Sequence, residues 1–143
     1  MAQSQFFRCQ AVHGIQWKIF EFAIWELRNG LEENDEEMGP KKIAEARVQV
    51  ASEWIIQGAR LLLRESLRNS LSAEPEDATH GSPYRGGSLY SGTRGHNLER
   101  WGFWKRRLLE LRENVCIQVS IDEAAKEMAD TELEASKHLS LDS

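Results

Sequence analysis

Several things are scarce in this chain. It has two cysteines, Cys9 and Cys116, and they stand far apart. Two isolated cysteines on apolar-rich segments read as buried thiols in a reducing compartment, not as a disulfide framework. Basic charge is also short: 18 Lys and Arg stand against 23 Asp and Glu, a net charge of -5. A dedicated nucleic-acid binder usually carries a net basic face, so that class ranks last. Long apolar runs are missing as well. The most apolar stretch, Ile19 to Leu27, is interrupted by Glu21 and Glu26, well short of the roughly 20 apolar residues of a membrane span. The first residues are polar and lack the basic start of a secretory signal. These absences set the expectation of a cytoplasmic or nuclear protein with no membrane contact. The histidines His13, His80, His96 and His138 show no metal-ligand spacing beyond the Cys9/His13 pair. No nucleophile elbow or phosphate-cradling loop is present, so no catalytic residue, cofactor or metal site is read. The expectation leans away from an enzyme.

What is present is helical patterning. The first segment, from about Gln5 to Asn29, repeats Phe6, Val12, Ile15, Ile19, Phe22 and Trp25 at near-helical spacing. Asn29-Gly30 reads as its stop. Glu32, Glu33, Asp35, Glu36 and Glu37 follow. Crowded carboxylates repel one another, so this run reads as a solvated linker. Pro40 suits the opening of a second helix, about 40–69. Its main stripe is Ile43, Ala46, Val50, Trp54, Gly58 and Leu62. A second strip, Ala51, Ile55, Ala59 and Leu63, makes it a helix buried on two sides. Gly58 would let another helix approach closely.

The stretch from Ser70 to Asn97 differs in kind, with five of the ten glycines and two of the three prolines. It reads as a long glycine-rich loop, disordered or mobile over about 72–96. The third helix has the sharpest pattern: Trp101, Trp104, Leu108, Leu111 and Val115 step by three and four. Asn97 is its expected N-cap. The tryptophans are expected to face the core and the flanking basic residues to pair with acids, Arg106 with Glu110 among them. The fourth helix is expected to start at a capping box of Ser120 and Glu123. It continues through Ala124, Met128 and Leu133 and frays after about 136.

An ordered series within these segments resembles a known family. It comprises Val48 to Ile56, Tyr90-Ser91-Gly92, and Glu99-Arg100-Trp101-Gly102-Phe103-Trp104-Lys105-Arg106-Arg107. The series is similar to a family of helical proteins of filamentous fungi that carry a domain of unknown function. The likeness spans about Val48 to Met128. It implies a fungal source and an all-α fold, and it carries over no catalytic residues. Members are often longer, so a short version would leave apolar surface for a partner.

The fold expected is therefore all-α, an irregular bundle of about four main helices over 1–135, with the glycine-rich loop between the second and third. The function expected is a non-enzymatic interaction or accessory protein, with a protein partner or a second copy of itself. One alternative is a small-molecule-binding protein or enzyme with an apolar inter-helical pocket, of the kind that serves secondary metabolism. The other is a weak nucleic-acid-associated regulator. Residues equipped to touch a partner or ligand are Tyr84, Arg85, Tyr90, Arg94, Trp101, Trp104 and Arg107.

Overall fold

A computed structural model describes residues 13–71 and 85–142, with side chains over 19–71 and 85–137. The chain is all-helical, and no strand occurs among the described residues. The order is α1 (His13–Leu31), α2 (Asp35–Met38), α3 (Lys41–Leu71) and α4 (Leu98–Leu111). A 3-10 turn (Val115–Ile117) then leads directly into α5 (Gln118–Asp142). The expected residues 1–12 and 72–84, with Cys9, His80 and Tyr84 among them, lie outside the described part.

Helix α1 runs through Asn29-Gly30 instead of stopping there. The reason is packing. A Cβ added at Gly30 would come 2.7 Å from the Cβ of Ala51, so the glycine lets α1 lie directly on α3. The acidic run that follows is not simply a solvated linker. Asn34 caps a short helix, its side chain accepting from Glu37 N at 3.0 Å. Asp35, Glu36 and Glu37 then occupy a first turn, where the helix dipole favours negative charge. Gly39, at φ +82°, ends it. Pro40 starts α3 by accepting from Ala44 N.

Helix α3 is the centre of the molecule. Its strip Ala51, Ile55, Ala59 and Leu63 is buried against α1, α4 and α5, together with Ile24, Leu27, Leu31, Trp104, Leu108, Ile121 and Met128. The stripe expected to be the main buried one is largely uncovered. Ile43 is 50% exposed and Val50 42% exposed, Trp54 is half-buried, and only Leu62 is buried. The helix kinks at Gly58 (φ -127°, ψ 16°), glycine being a common cause of such a bend.

Asn97 caps α4 as expected, its side chain accepting from Arg100 N at 2.9 Å. Helix α4 ends at Leu111, so Val115 leaves the seam and stands exposed. Asn114 makes the next turn: its Oδ1 accepts from Cys116 N, while its Nδ2 donates to Glu45 on α3. Helix α5 therefore begins ahead of Ser120, and it continues past residue 136 to Asp142. Cys116 is exposed, which corrects the buried-thiol reading at that position. The predicted Arg106–Glu110 pair is replaced by Arg107–Glu110 at 2.8 Å, with Arg106 set over the Phe103 ring.

Candidate functional site

Two features stand out: a buried charged clamp and an open apolar groove. The clamp is centred on Glu32, the first of the acidic residues. It is completely buried, against the sequence-based expectation of a solvated linker. Arg100 approaches from α4 with two parallel bonds, Nε to Oε2 at 2.7 Å and Nη2 to Oε1 at 2.8 Å. Trp104 Nε1, one turn further along α4, donates to Oε2 at 2.7 Å. Gly87 N donates to Oε1 at 3.0 Å. A carboxylate has about four acceptor positions, and here all are taken. The Glu32 carboxylate is thus engaged on both oxygens by α4 and by the chain at Gly87.

The clamp also fastens residues 85–97 across the end of α1. Leu89 N donates to the Glu32 carbonyl at 2.7 Å, and Arg100 Nη2 donates to the Arg85 carbonyl at 2.9 Å. Tyr90 is buried, with the Arg100 guanidinium 5.1 Å from its ring centre. Its hydroxyl donates to the Thr93 carbonyl at 2.7 Å and lies 3.1 Å from Glu99. Burial and the neighbouring Glu99 push the Tyr90 pKa up, so the phenol stays protonated. Asn97 Nδ2 donates to the carbonyls of Thr93, Arg94 and Gly95. One side chain thus caps the helix and gathers the strand of chain before it. His96 is fully buried, and its Nε2–H donates to the Phe20 carbonyl at 3.0 Å. A carbonyl can only accept, which fixes the tautomer. Burial is the main force holding the His96 pKa down to about 4, and the Arg100 charge adds to it.

The sequence-predicted contact residues divide accordingly. Trp101 and Trp104 are buried, as the core reading of α4 expected. Trp101 Nε1 donates to Glu132 on α5 at 2.8 Å. Tyr90 is inside the clamp. Arg85 enters it only through its carbonyl, its side chain being exposed, as is Arg94. Arg107 Nε donates to the Leu31 carbonyl at 3.0 Å, tying α4 to the end of α1. The structure brings Arg85, Tyr90, Trp104 and Arg107 together around the α1 terminus. Glu32 and His96 were missed. Two buried tryptophans whose indole N–H groups need acceptors were the available signal.

The groove lies on the other side. It has a volume of about 710 Å³ and runs between the start of α1 (Ile19, Phe20, Ala23) and α3 from Ala46 to Leu62. Its floor and walls are apolar, and Gln49, Glu53 and Gln57 line one rim at successive turns. A Cβ added at Gly58 would meet nothing within 4 Å. The glycine therefore faces open space, whereas Gly30 faces a neighbouring helix. Among the described residues no group of three His, Cys, Asp or Glu side chains is placed to hold a metal. No described helix is long and apolar enough to cross a membrane.

Residues 5–108 match the family model described as "Protein of unknown function (DUF3632)". The chain belongs to that family. The DUF3632 match includes α1, α2, α3, the clamp and most of α4; the 3-10 turn and α5 lie beyond it. Every member of the Glu32–Arg100–Trp104–Gly87 set is inside the matched region. Comparison with curated proteins and with solved structures finds no match for this DUF3632 chain.

Proposed function

We propose that this DUF3632 chain is a non-enzymatic docking module whose α1–α3 groove seats an apolar-faced helix of a protein partner. One observation carries the reading. Among the described residues, the α3 stripe of Ala46, Val50, Trp54 and Leu61, at helical spacing with Gly58 at its kink, is exposed or only half-buried, while the opposite face of α3 is buried. A helix laid in a groove reads such i, i+3, i+4 and i+7 positions. Nine residues of α3 line it, from Ala46 to Leu62, a rise of about 24 Å or four turns at 1.5 Å per residue. Glu53 is the charged group on the rim, so the partner helix would bring a Lys or Arg to that edge. The clamp supports the reading indirectly: Glu32 and Arg100 are committed to holding the fold.

A small-molecule reading has one observation in its favour: the groove volume falls within the roughly 300–1,000 Å³ of ligand pockets. The test separates the two. A photo-crosslinking residue placed at Val50 in the full chain should capture a protein in extracts of the source cells. Gly58→Leu, which fills the groove, should abolish that capture without lowering the melting temperature. A capture that survives Gly58→Leu, or the absence of any crosslinked protein, would overturn the docking reading. A crosslink between two copies of this chain would identify self-association instead.

A further inference from the structure

Resting on the docking reading, we propose that the helix seated in the α1–α3 groove is basic. It carries one cation on each side of its apolar stripe, and the two are held at one height between Glu26 on α1 and Glu53 on α3.

The register of the two helices sets that height. Ile19 and Ala23 line the groove on α1. Glu26 and Gly30 continue their face, at helical spacings of three and four. Helices α1 and α3 are joined by a short connection and run antiparallel, with Gly30 against Arg47 and Ala51. Four residues back from Gly30, about 6 Å along α1, stands Glu26. The same step forward along α3, from Arg47 and Ala51, reaches residues 51 to 55, with Glu53 in the middle. One carboxylate therefore stands on each helix at the same level. Glu53 lies exposed on the α3 rim, and Glu26 is half-buried.

The charges on these helices leave both acids open to a partner. Among the described residues neither Glu26 nor Glu53 makes an ion pair. Glu53 accepts from the Gln57 amide at 3.4 Å. The α3 cations to either side of Glu53 are turned elsewhere. Arg47 donates to the Glu37 carbonyl at 3.1 Å, and Arg60 pairs with Glu134 on α5.

The lining between the acids is apolar, with Ala23 on α1 and Val50 and Trp54 on α3. The surface complementary to an apolar strip between two anions is an apolar stripe with a cation on each flank. On a helix, the positions that flank an a/d stripe are e and g. A run of apolar, Lys, any residue, Lys, apolar places two cations on opposite flanks within one turn. Lysine suits this place, because its stem lies on apolar surface while its ammonium reaches the edge. The chain's net charge of -5 favours the approach of such a helix.

The probes are two synthetic helical peptides of about 18 residues, enough to span the trough at 1.5 Å per residue. Both carry Leu at a and d. One has Lys and the other Gln at the central e and g positions. Fluorescence anisotropy with the full chain in low salt should give the Lys peptide a Kd about fivefold lower, the scale of two rim ion pairs. High salt should close the gap. Glu26→Gln with Glu53→Gln should abolish the preference. Glu113→Gln with Glu123→Gln, which removes the same charge from exposed positions away from the groove, should keep it. Equal affinities, a preference for the Gln peptide, or a preference that the Glu113 and Glu123 changes also remove would overturn the proposal. So would a dimer of the chain in sedimentation that Gly58→Leu dissociates, since a second copy would then hold the groove. Docking is read separately from Gly58→Leu. Equal binding of both peptides that Gly58→Leu abolishes leaves the docking reading standing and removes the paired cations. Binding that Gly58→Leu leaves unchanged, or no binding of either peptide, overturns both.

Discussion

The Glu32 carboxylate and the Arg100 guanidinium meet in a two-point pair at 2.7 and 2.8 Å, 68 positions apart in the chain and both fully buried. Deleting one partner of such a pair strands the other charge in a dry interior, at a cost of about 3–5 kcal/mol. Arg100→Met should lower stability in urea by that amount. The double variant Glu32→Leu with Arg100→Met should lose clearly less than the sum of the two single changes, because no lone charge remains. Simple additivity would show that the pair is not coupled as its geometry implies.

Below neutrality His96 should become the weak point. Its folded pKa of about 4 lies below the ordinary value of 6.5. Between those values the unfolded chain binds a proton that the folded chain refuses, so stability rises with pH there. The His96 contribution is complete above about pH 6.5 and is lost as the pH falls through that window toward 4. Each pKa unit corresponds to about 1.4 kcal/mol, so the loss by pH 4 is about 3 kcal/mol. Unfolding free energies measured in urea at several pH values should show this slope. His96→Gln, which does not titrate, should flatten it. An equal slope in the variant would assign the effect to the carboxylates.

Two glycines should respond oppositely to alanine. At Gly30 a new Cβ would lie 2.7 Å from that of Ala51 and would force α1 off α3. Overpacking of this kind costs about 1–3 kcal/mol. At Gly58 nothing lies within 4 Å, so alanine gains helix propensity, worth up to about 1 kcal/mol. Thermal melts of the two single variants check the contrast. A loss at Gly58 equal to that at Gly30 would mean that the kinked conformation itself requires glycine.

The difference between these glycines also shows how much of the fold was legible. The helices were readable because their apolar residues repeat at the helical period, and Asn97 because a cap is a local bond. Which stripe of α3 faces inward was not readable. Ala51, Ile55, Ala59 and Leu63 look like the lesser strip, yet they are buried because three other helices meet there. Glu32 was misread for the same reason. Five neighbouring acidic residues argue for solvent, and only a partner 68 positions away reverses that for one of them. The first α5 turn was displaced because Asn114, not Ser120, sets the chain's direction. Local chemistry was visible in the sequence; non-local partners were not.

Trp101 and Trp104 should separate packing from hydrogen bonding. Both rings are buried, and each indole N–H reaches a glutamate from a different helix: Glu132 on α5 for Trp101, and Glu32 at the end of α1 for Trp104. Truncating either to alanine removes a large core group and should cost about 3–5 kcal/mol. Phenylalanine keeps most of the ring and drops the donor. At Trp101 the acceptor is shared with Lys105, which bonds Glu132 at 3.0 Å, so Trp101→Phe leaves the carboxylate a partner. The cost there should be about 1 kcal/mol, that of an ordinary hydrogen bond. At Trp104 the acceptor is a completely buried charge, and a lost bond to such a group costs about 1.5–3 kcal/mol. Urea unfolding of the two phenylalanine variants should therefore rank Trp104 as the more costly change. The reverse order would mean that Glu32 is held by Arg100 and Gly87 alone, with the indole contributing only its bulk.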